Sequence, residues 1–307
     1  MYWRINVFML ALLLVLSCGE KPDRSQEDLA LFEISQLPDL PQEEFVIIDF
    51  RKPEAYAIGH IPGALNLWRS DIEDRSYAYR GMLAGKEEME AILGNLGISN
   101  QDKLLLYDED GLPGAARLWW ALKHYGFPDV SLLNGGLQAW KEAGRPMDTK
   151  VVSRVASTYT FPKTGGWDNL ITKEELLKLL KSGQEDYVIL DARSREEFLG
   201  IKLKSGAAKA GRIPNSVNMD WSAAINHKGN KKFKSLSELE RIFAFLGAEQ
   251  SDKIIVYCHS GVRSSHTYFV LTELLGYKNV WNYDGSWTEW SHNTLPYIDN
   301  TNMLVKN

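Results

Sequence analysis

A single thiol, an arginine five residues later and the loop between them are the part of this sequence best suited to chemistry. The stretch is Tyr257-Cys258-His259-Ser260-Gly261-Val262-Arg263-Ser264. Ahead of it the unbroken apolar run Ile254–Tyr257 predicts a buried strand of a parallel sheet. Behind it Arg263 to Leu275 carries Tyr268, Val270, Leu271, Leu274 and Leu275 at helical spacing, with Ser264 and Ser265 expected as N-terminal caps. A strand–loop–helix turn of this kind aims backbone N–H groups and the positive end of a helix at the sulfur. Such a setting depresses a thiol pKa and binds an anion in the same place. The bland alternative is an inert core cysteine, the usual fate of a free thiol. Packing alone, however, calls for neither Gly261, which suits a turn with positive φ, nor Arg263, which is placed to pair with an anion.

The elements that must hold this loop come in two copies. Leu96-Gly97 through Trp140 aligns without a gap on Leu246-Gly247 through Trp290, at a constant offset of 246 − 96 = 150. Tyr107 then matches Tyr257, Gly111 matches Gly261, Gly135 matches Gly285, and Asp108 stands where the second copy has Cys258. Earlier, Phe45 to Arg51 matches Tyr187 to Arg193, and Gly59-His60-Ile61-Pro62 matches Gly211-Arg212-Ile213-Pro214. The offset grows from 142 to 152 between these blocks, so the second copy carries about ten extra residues near 200–210, expected as a surface loop. Each copy reads as strands alternating with helices, which predicts an α/β fold of two domains, each a parallel sheet flanked by helices. The boundaries are expected at 29–150 and 167–299, with 151–166 as a linker draped over the junction.

Composition agrees with a globular pair of domains: 307 residues, 44% hydrophobic and 24% charged. A formal net charge of −5 gives no basic face for nucleic acid. The six histidines lack ligand-like spacing, so no metal site is expected. Several of the ten tryptophans occupy matching places in the two copies and are expected in the cores.

The N-terminus reads differently. Arg4, the apolar run Val7–Leu16 and then Val15-Leu16-Ser17-Cys18 resemble a bacterial lipoprotein signal with its lipobox. Residues 1–18 are expected as that signal, with Cys18 as the lipidated residue, and 19–28 as a polar tether. Even counted from Ile5, the run falls short of the ~20 apolar residues that span a bilayer. The implied location is the bacterial cell envelope, anchored by lipid outside the cytoplasm. Cys258 would then have no intramolecular partner for a disulfide.

Taken together, Gly59-His60-Ile61-Pro62-Gly63-Ala64, the Asp-x-Arg after the first strand of each copy, the Cys258 loop, Asn134-Gly135-Gly136 and Asp284-Gly285-Ser286-Trp287 resemble a tandem-domain sulfurtransferase of the rhodanese family. The resemblance implies that Cys258 attacks the outer sulfur of a small anionic donor such as thiosulfate and carries it as a persulfide to cyanide or a thiol. No metal or organic cofactor is implied. The N–H groups from His259 to Ser264, Gly261 and Val262 included, would stabilise the sulfur. Arg263 would hold the donor anion or brace the loop. Ser260 would bind the donor or shape the turn, and His259 is expected to face solvent. Arg193 and Asp191, like Arg51, are expected as a structural ion pair, and His60 as structural. Asp108 and Pro113, at the places of Cys258 and Arg263, make the first domain catalytically silent, because a carboxylate cannot form a persulfide.

The chain departs from the best-known two-domain enzymes at Glu197, where they usually carry a substrate-contacting arginine. Lys202, Lys204 or Lys209 of the inserted loop is the candidate replacement charge. Three alternatives stand beside the thiosulfate reading. One is 3-mercaptopyruvate as donor, since the loop shares Ser-Gly-Val with enzymes of that kind. Another is a non-catalytic sulfur carrier or redox sensor. The last is a cysteine-dependent phosphatase, which requires five residues between Cys and Arg where this chain has four, His259 to Val262.

Overall fold

The computed structural model of the chain describes residues 30–299 apart from 40, 165 and 185. The expected signal with Cys18 and the tether at 19–28 lie outside the described residues. In the first half, β1 (Leu31–Phe32), β2 (Val46–Asp49), β3 (Leu65–Asn66), β4 (Leu104–Tyr107) and β5 (Val130–Leu133) form a parallel sheet ordered β1-β5-β4-β2-β3. Its helices are α1 (Pro53–Ile58), α2 (Lys86–Asn95), α3 (Pro113–Tyr125) and α4 (Gly136–Glu142). The second half adds α5 (Lys173–Ser182) and then the parallel strands β6 (Tyr187–Asp191), β7 (Ser216–Asn218), β8 (Lys253–Tyr257) and β9 (Val280–Asn282), ordered β7-β6-β8-β9. Helices α6 (Arg195–Phe198), α7 (Leu236–Phe243), α8 (Val262–Phe269) and α9 (Ser286–His292) complete it.

The two-sided burial follows from the strand pattern. Along β4, Leu104 and Leu106 enter one core while Leu105 and Tyr107 enter another. Along β8, Ile254 and Val256 divide from Ile255 and Tyr257 in the same way. The central core is shared by both halves, because α3 and α8 pack against each other across the junction. Trp119 of α3 meets Phe269 of α8 edge-on at 4.8 Å between ring centroids. The halves are therefore joined by a continuous apolar core, not by a wet domain contact.

Two local expectations are corrected. The helix expected over Arg263–Leu275 is α8 followed by a wider π-turn over Val270–Leu274. It starts at Gly261, whose φ of 79° turns the chain from strand into helix, so Ser264 and Ser265 lie inside the first turn and cap nothing. Ser265 Oγ instead donates back to the Gly261 carbonyl at 2.6 Å. The segment 151–166 lies along the first domain: Tyr159 stacks on Phe127, and Ser157 N–H donates to the Gly94 carbonyl. Trp167, just beyond it, enters the junction beside Trp119 and Tyr268.

Candidate active site

Strand β8 ends at Tyr257, and register with Asp191 of β6 brings both strand ends to the same edge of the sheet. Parallel α/β sheets open their crevices at this carboxyl end. Cys258, 1% exposed, stands at the mouth of the following turn. Burial raises its pKa, but Arg263's charge, the Ser264 hydroxyl and N–H and the Ser260 N–H outweigh burial, and the thiol sits below its ordinary value. The Ser264 hydroxyl is buried without another hydrogen-bond partner, so it is available to the sulfur. From α9, Ser286 Oγ accepts the N–H of Cys258 at 3.1 Å and of Gly261 at 3.2 Å, tying the two ends of the turn together. Ser286 adopts φ 52°, a left-handed conformation uncommon for a residue with a side chain.

Arg263 is not free. Its Nη1 and Nη2 donate to the two carboxylate oxygens of Glu197 at 2.6 and 2.9 Å. Glu197 is buried, yet hydrogen bonding and the charge of Arg263 bring its carboxyl down to about 2 against the opposing effect of burial. His259 is buried rather than turned to solvent, because its Nε2 pairs with the Ser205 carbonyl of the inserted loop at 3.0 Å. Burial, then Lys204 and Arg263, push its pKa down to about 4, so it is neutral near pH 7 and donates through Nε2. Of the three candidate lysines, Lys204 sits beside Ser205 and within electrostatic reach of Cys258, Arg263 and Glu197. Lys209 turns away to the Asn293 carbonyl and the Tyr297 ring, and Lys202 is exposed beside Glu196. Arg193 is clamped by Asp191 at 2.6 Å and by the Gly211 carbonyl, under the rings of Tyr257 and Trp287. No cluster suited to a metal ion occurs among the described residues.

Comparison with known proteins fits this geometry. A family model described as "Rhodanese-like domain" matches residues 33–143 and again 172–293. The chain belongs to the rhodanese-like family. It is 37% identical over 259 residues to the "Putative thiosulfate sulfurtransferase" of Mycolicibacterium smegmatis, covering 81% of this chain and 89% of that protein. It is 38% identical over 244 residues to the "Sulfur carrier protein TtuD" of Thermus thermophilus, covering 77% and 84%. Among solved structures, the anaerobic ergothioneine biosynthesis enzyme of Chlorobium limicola, in complex with trimethyl histidine, superimposes with a TM-score of 0.72 at 28% identity. That match covers 83% of this chain but 64% of the larger enzyme. The protein is a sulfurtransferase by family.

The first rhodanese-like domain keeps the loop but fills it. Asp108 Oδ1 accepts from the N–H groups of Asp110 and Leu112 at 3.0 and 2.8 Å, and Oδ2 from Gly114 and Ala115 at 2.8 and 3.1 Å. At the offset of 150, Asp110 and Gly114 correspond to Ser260 and Ser264, whose N–H groups face the Cys258 sulfur. Where the second rhodanese-like domain has Glu197 and Arg263, the first has Ala55 and Pro113, and these line a cavity of about 310 Å³ together with Val262. His60 is buried, stacked on Tyr56 and bonded to carbonyls of Tyr56 and Lys150.

The first domain also reaches into the rhodanese loop of the second. Arg69 Nη2 donates to Ser260 Oγ at 3.0 Å. Arg117 of α3 forms a buried ion pair with Asp284, whose other oxygen accepts the Leu83 N–H at 2.9 Å. A Cβ on Gly261 would come within 2.6 Å of the Arg117 guanidinium, so this glycine is required by space as well as by φ. Sequence reasoning missed Arg69 and Arg117, and took Ser286 only as part of a motif without a role beside the thiol. Ser286 had a signal, since the repeat pairs it with Gly136, whose φ of 53° is nearly the same. The two arginines had none.

Proposed function

We propose that the protein transfers sulfane sulfur from thiosulfate to cyanide or a thiol acceptor through a persulfide on Cys258. The observation that carries this reading is a buried thiol with a lowered pKa, faced by backbone N–H groups and accompanied by a half-buried arginine. The thiolate attacks the outer sulfur of thiosulfate, the S–S bond breaks, and sulfite departs with the bonding electron pair. The persulfide anion inherits the N–H cradle. A nucleophilic acceptor then takes the outer sulfur and returns Cys258 as thiolate, with no net redox change. Residues 167–299 form the catalytic unit in this reading, and 29–150 the silent one.

Two tests decide it. Incubation with thiosulfate should add one sulfur atom to Cys258, seen by intact mass and removed by cyanide, and Cys258→Ala should show neither this mass change nor turnover. No adduct from any sulfane donor would defeat the reading. A carrier role, in which the persulfide passes to another protein, is supported by the similarity to the Thermus thermophilus sulfur carrier protein. Turnover with small acceptors at rates far below persulfide loading would favour it. For location, the Arg4, Val7–Leu16 and Cys18 pattern supports a lipid anchor in the cell envelope. Incorporation of labelled fatty acid, lost in Cys18→Ala, tests that proposal.

A further inference from the structure

We propose that the anionic head of the sulfur donor is gripped across the domain boundary by Lys204 of the second domain and Arg69 of the first, while Arg263 serves the thiolate. This rests on the sulfurtransferase reading and names how that site holds its donor. Arg263 is the cation nearest to hand, but both its terminal nitrogens are committed to Glu197. The pair is nearly inaccessible, with side-chain exposures of 14% and 5%, and carries no net charge towards an arriving anion. Opening a buried bidentate pair to admit a substrate is unfavourable, since it strands a carboxylate.

Two cations beside the Cys258 loop are not neutralised in this way. Lys204 is at the surface and has no hydrogen-bond or ion-pair acceptor for its ammonium among the described residues. Its place is fixed, because the next residue accepts the His259 imidazole and Gly206 lies against the same ring. Arg69 reaches the loop from the first domain and donates to Ser260 Oγ. Its carboxylate partner, Glu73, is shared with Arg80, so the three groups together keep a net positive charge. Arg69 and Arg263 both lower the pKa of Lys204, after the larger effect of desolvation, which places the three cations near one another. Positive groups from two domains, flanking a nucleophilic sulfur, match a small tetrahedral oxyanion that carries a terminal sulfur. The oxygens of a thiosulfonate would meet Lys204 and Arg69 while its outer sulfur points at Cys258, and the same cations would stabilise departing sulfite. A planar carboxylate donor is better served by an open bidentate arginine, and here Glu197 already fills that fork.

The test uses Lys204→Met, Arg69→Met and the double variant in the full chain. The first readout is the ratio of Cys258 alkylation rates by iodoacetate, an anion, and iodoacetamide, its neutral isostere. Each substitution should lower that ratio by roughly tenfold, as expected for loss of a charge a few ångströms from the reagent, with a larger fall in the double variant. Any rise in the Cys258 pKa on losing the cation slows both reagents alike, so the ratio isolates the charge on the reagent, and an iodoacetamide rate that still saturates at high pH verifies an intact loop. The second readout is KM for thiosulfate, expected to rise by about the same factor. An unchanged ratio in Lys204→Met and Arg69→Met would overturn the proposal. A lowered ratio without any thiosulfate turnover would remove the sulfurtransferase reading and leave the anion grip standing.

Discussion

The two loops at Asp108 and Cys258 are one backbone design put to opposite uses. In the first, a carboxylate receives four backbone N–H groups and satisfies the turn completely. In the second, a sulfur with weaker hydrogen-bonding power occupies the same cradle, and the unmet capacity of the N–H groups is left for the thiolate and its adduct. The surroundings diverge to match. Arg263, paired with Glu197, lies beside the sulfur, whereas Ala55 and Pro113 line a cavity beside the carboxylate together with Arg51, Lys52 and Arg69. In both domains the strand–turn–helix offers N–H groups to the residue that heads it, and on the proposed reading reactivity enters through that residue and its charged neighbour.

The sharpest way to break the comparison is to make the loops alike. Cys258→Asp should fold, because the cradle accepts a carboxylate, and should lose at least about 1,000-fold in turnover. Circular dichroism and a sulfur-transfer assay check both halves of that statement. An unfolded variant would show that the second cradle is not equivalent to the first. Next in size, Arg263→Gln removes the charge that lowers the Cys258 pKa and leaves the Glu197 carboxylate beside the sulfur. The inflection of iodoacetamide alkylation should move to higher pH, with the rate near pH 7 falling about tenfold or more. Glu197→Gln should move the inflection the other way, since Arg263 then acts without its counter-charge.

A smaller effect is expected at Ser286. Ser286→Ala strands the N–H groups of Cys258 and Gly261 and should cost about 1–3 kcal/mol in denaturant unfolding, with slower alkylation of Cys258. The smallest is a pH effect in the first domain. Burial raises the Asp108 carboxyl to about 6, above its ordinary value, despite its N–H partners. A group raised on folding contributes stability in its protonated form, present below the unfolded pKa and lost as pH rises through about 6. Asp108→Asn should therefore remove part of the decline in unfolding free energy between about pH 4 and about pH 7, measured by chemical denaturation. A parallel decline in both proteins would contradict the assignment.

Much of the architecture was legible because it rests on local patterns. Apolar runs such as Leu104–Leu106 and Ile254–Val256 fix buried parallel strands. The offset of 150 carries β4, α3, β5 and α4 onto β8, α8, β9 and α9, including the loop that sets Asp108 against Cys258. Helix boundaries were less legible: Gly261 in a left-handed conformation starts α8, and the serines after it are drawn into the first turn. His259 was misread as solvent-facing because its burial comes from the inserted loop, whose path has no local signature.

The amino-acid order by itself determined the chemistry available, namely one thiol, its turn and its charged neighbour, since those lie within a few residues and follow from strand and helix periodicity. Tertiary structure decided where the charges go. Glu197 closes on Arg263 from 66 residues away, and Arg69 reaches Ser260 from 191 residues away in the other domain. Ion pairing depends on approach within a few ångströms, and the shared core of α3 and α8 brings those groups together.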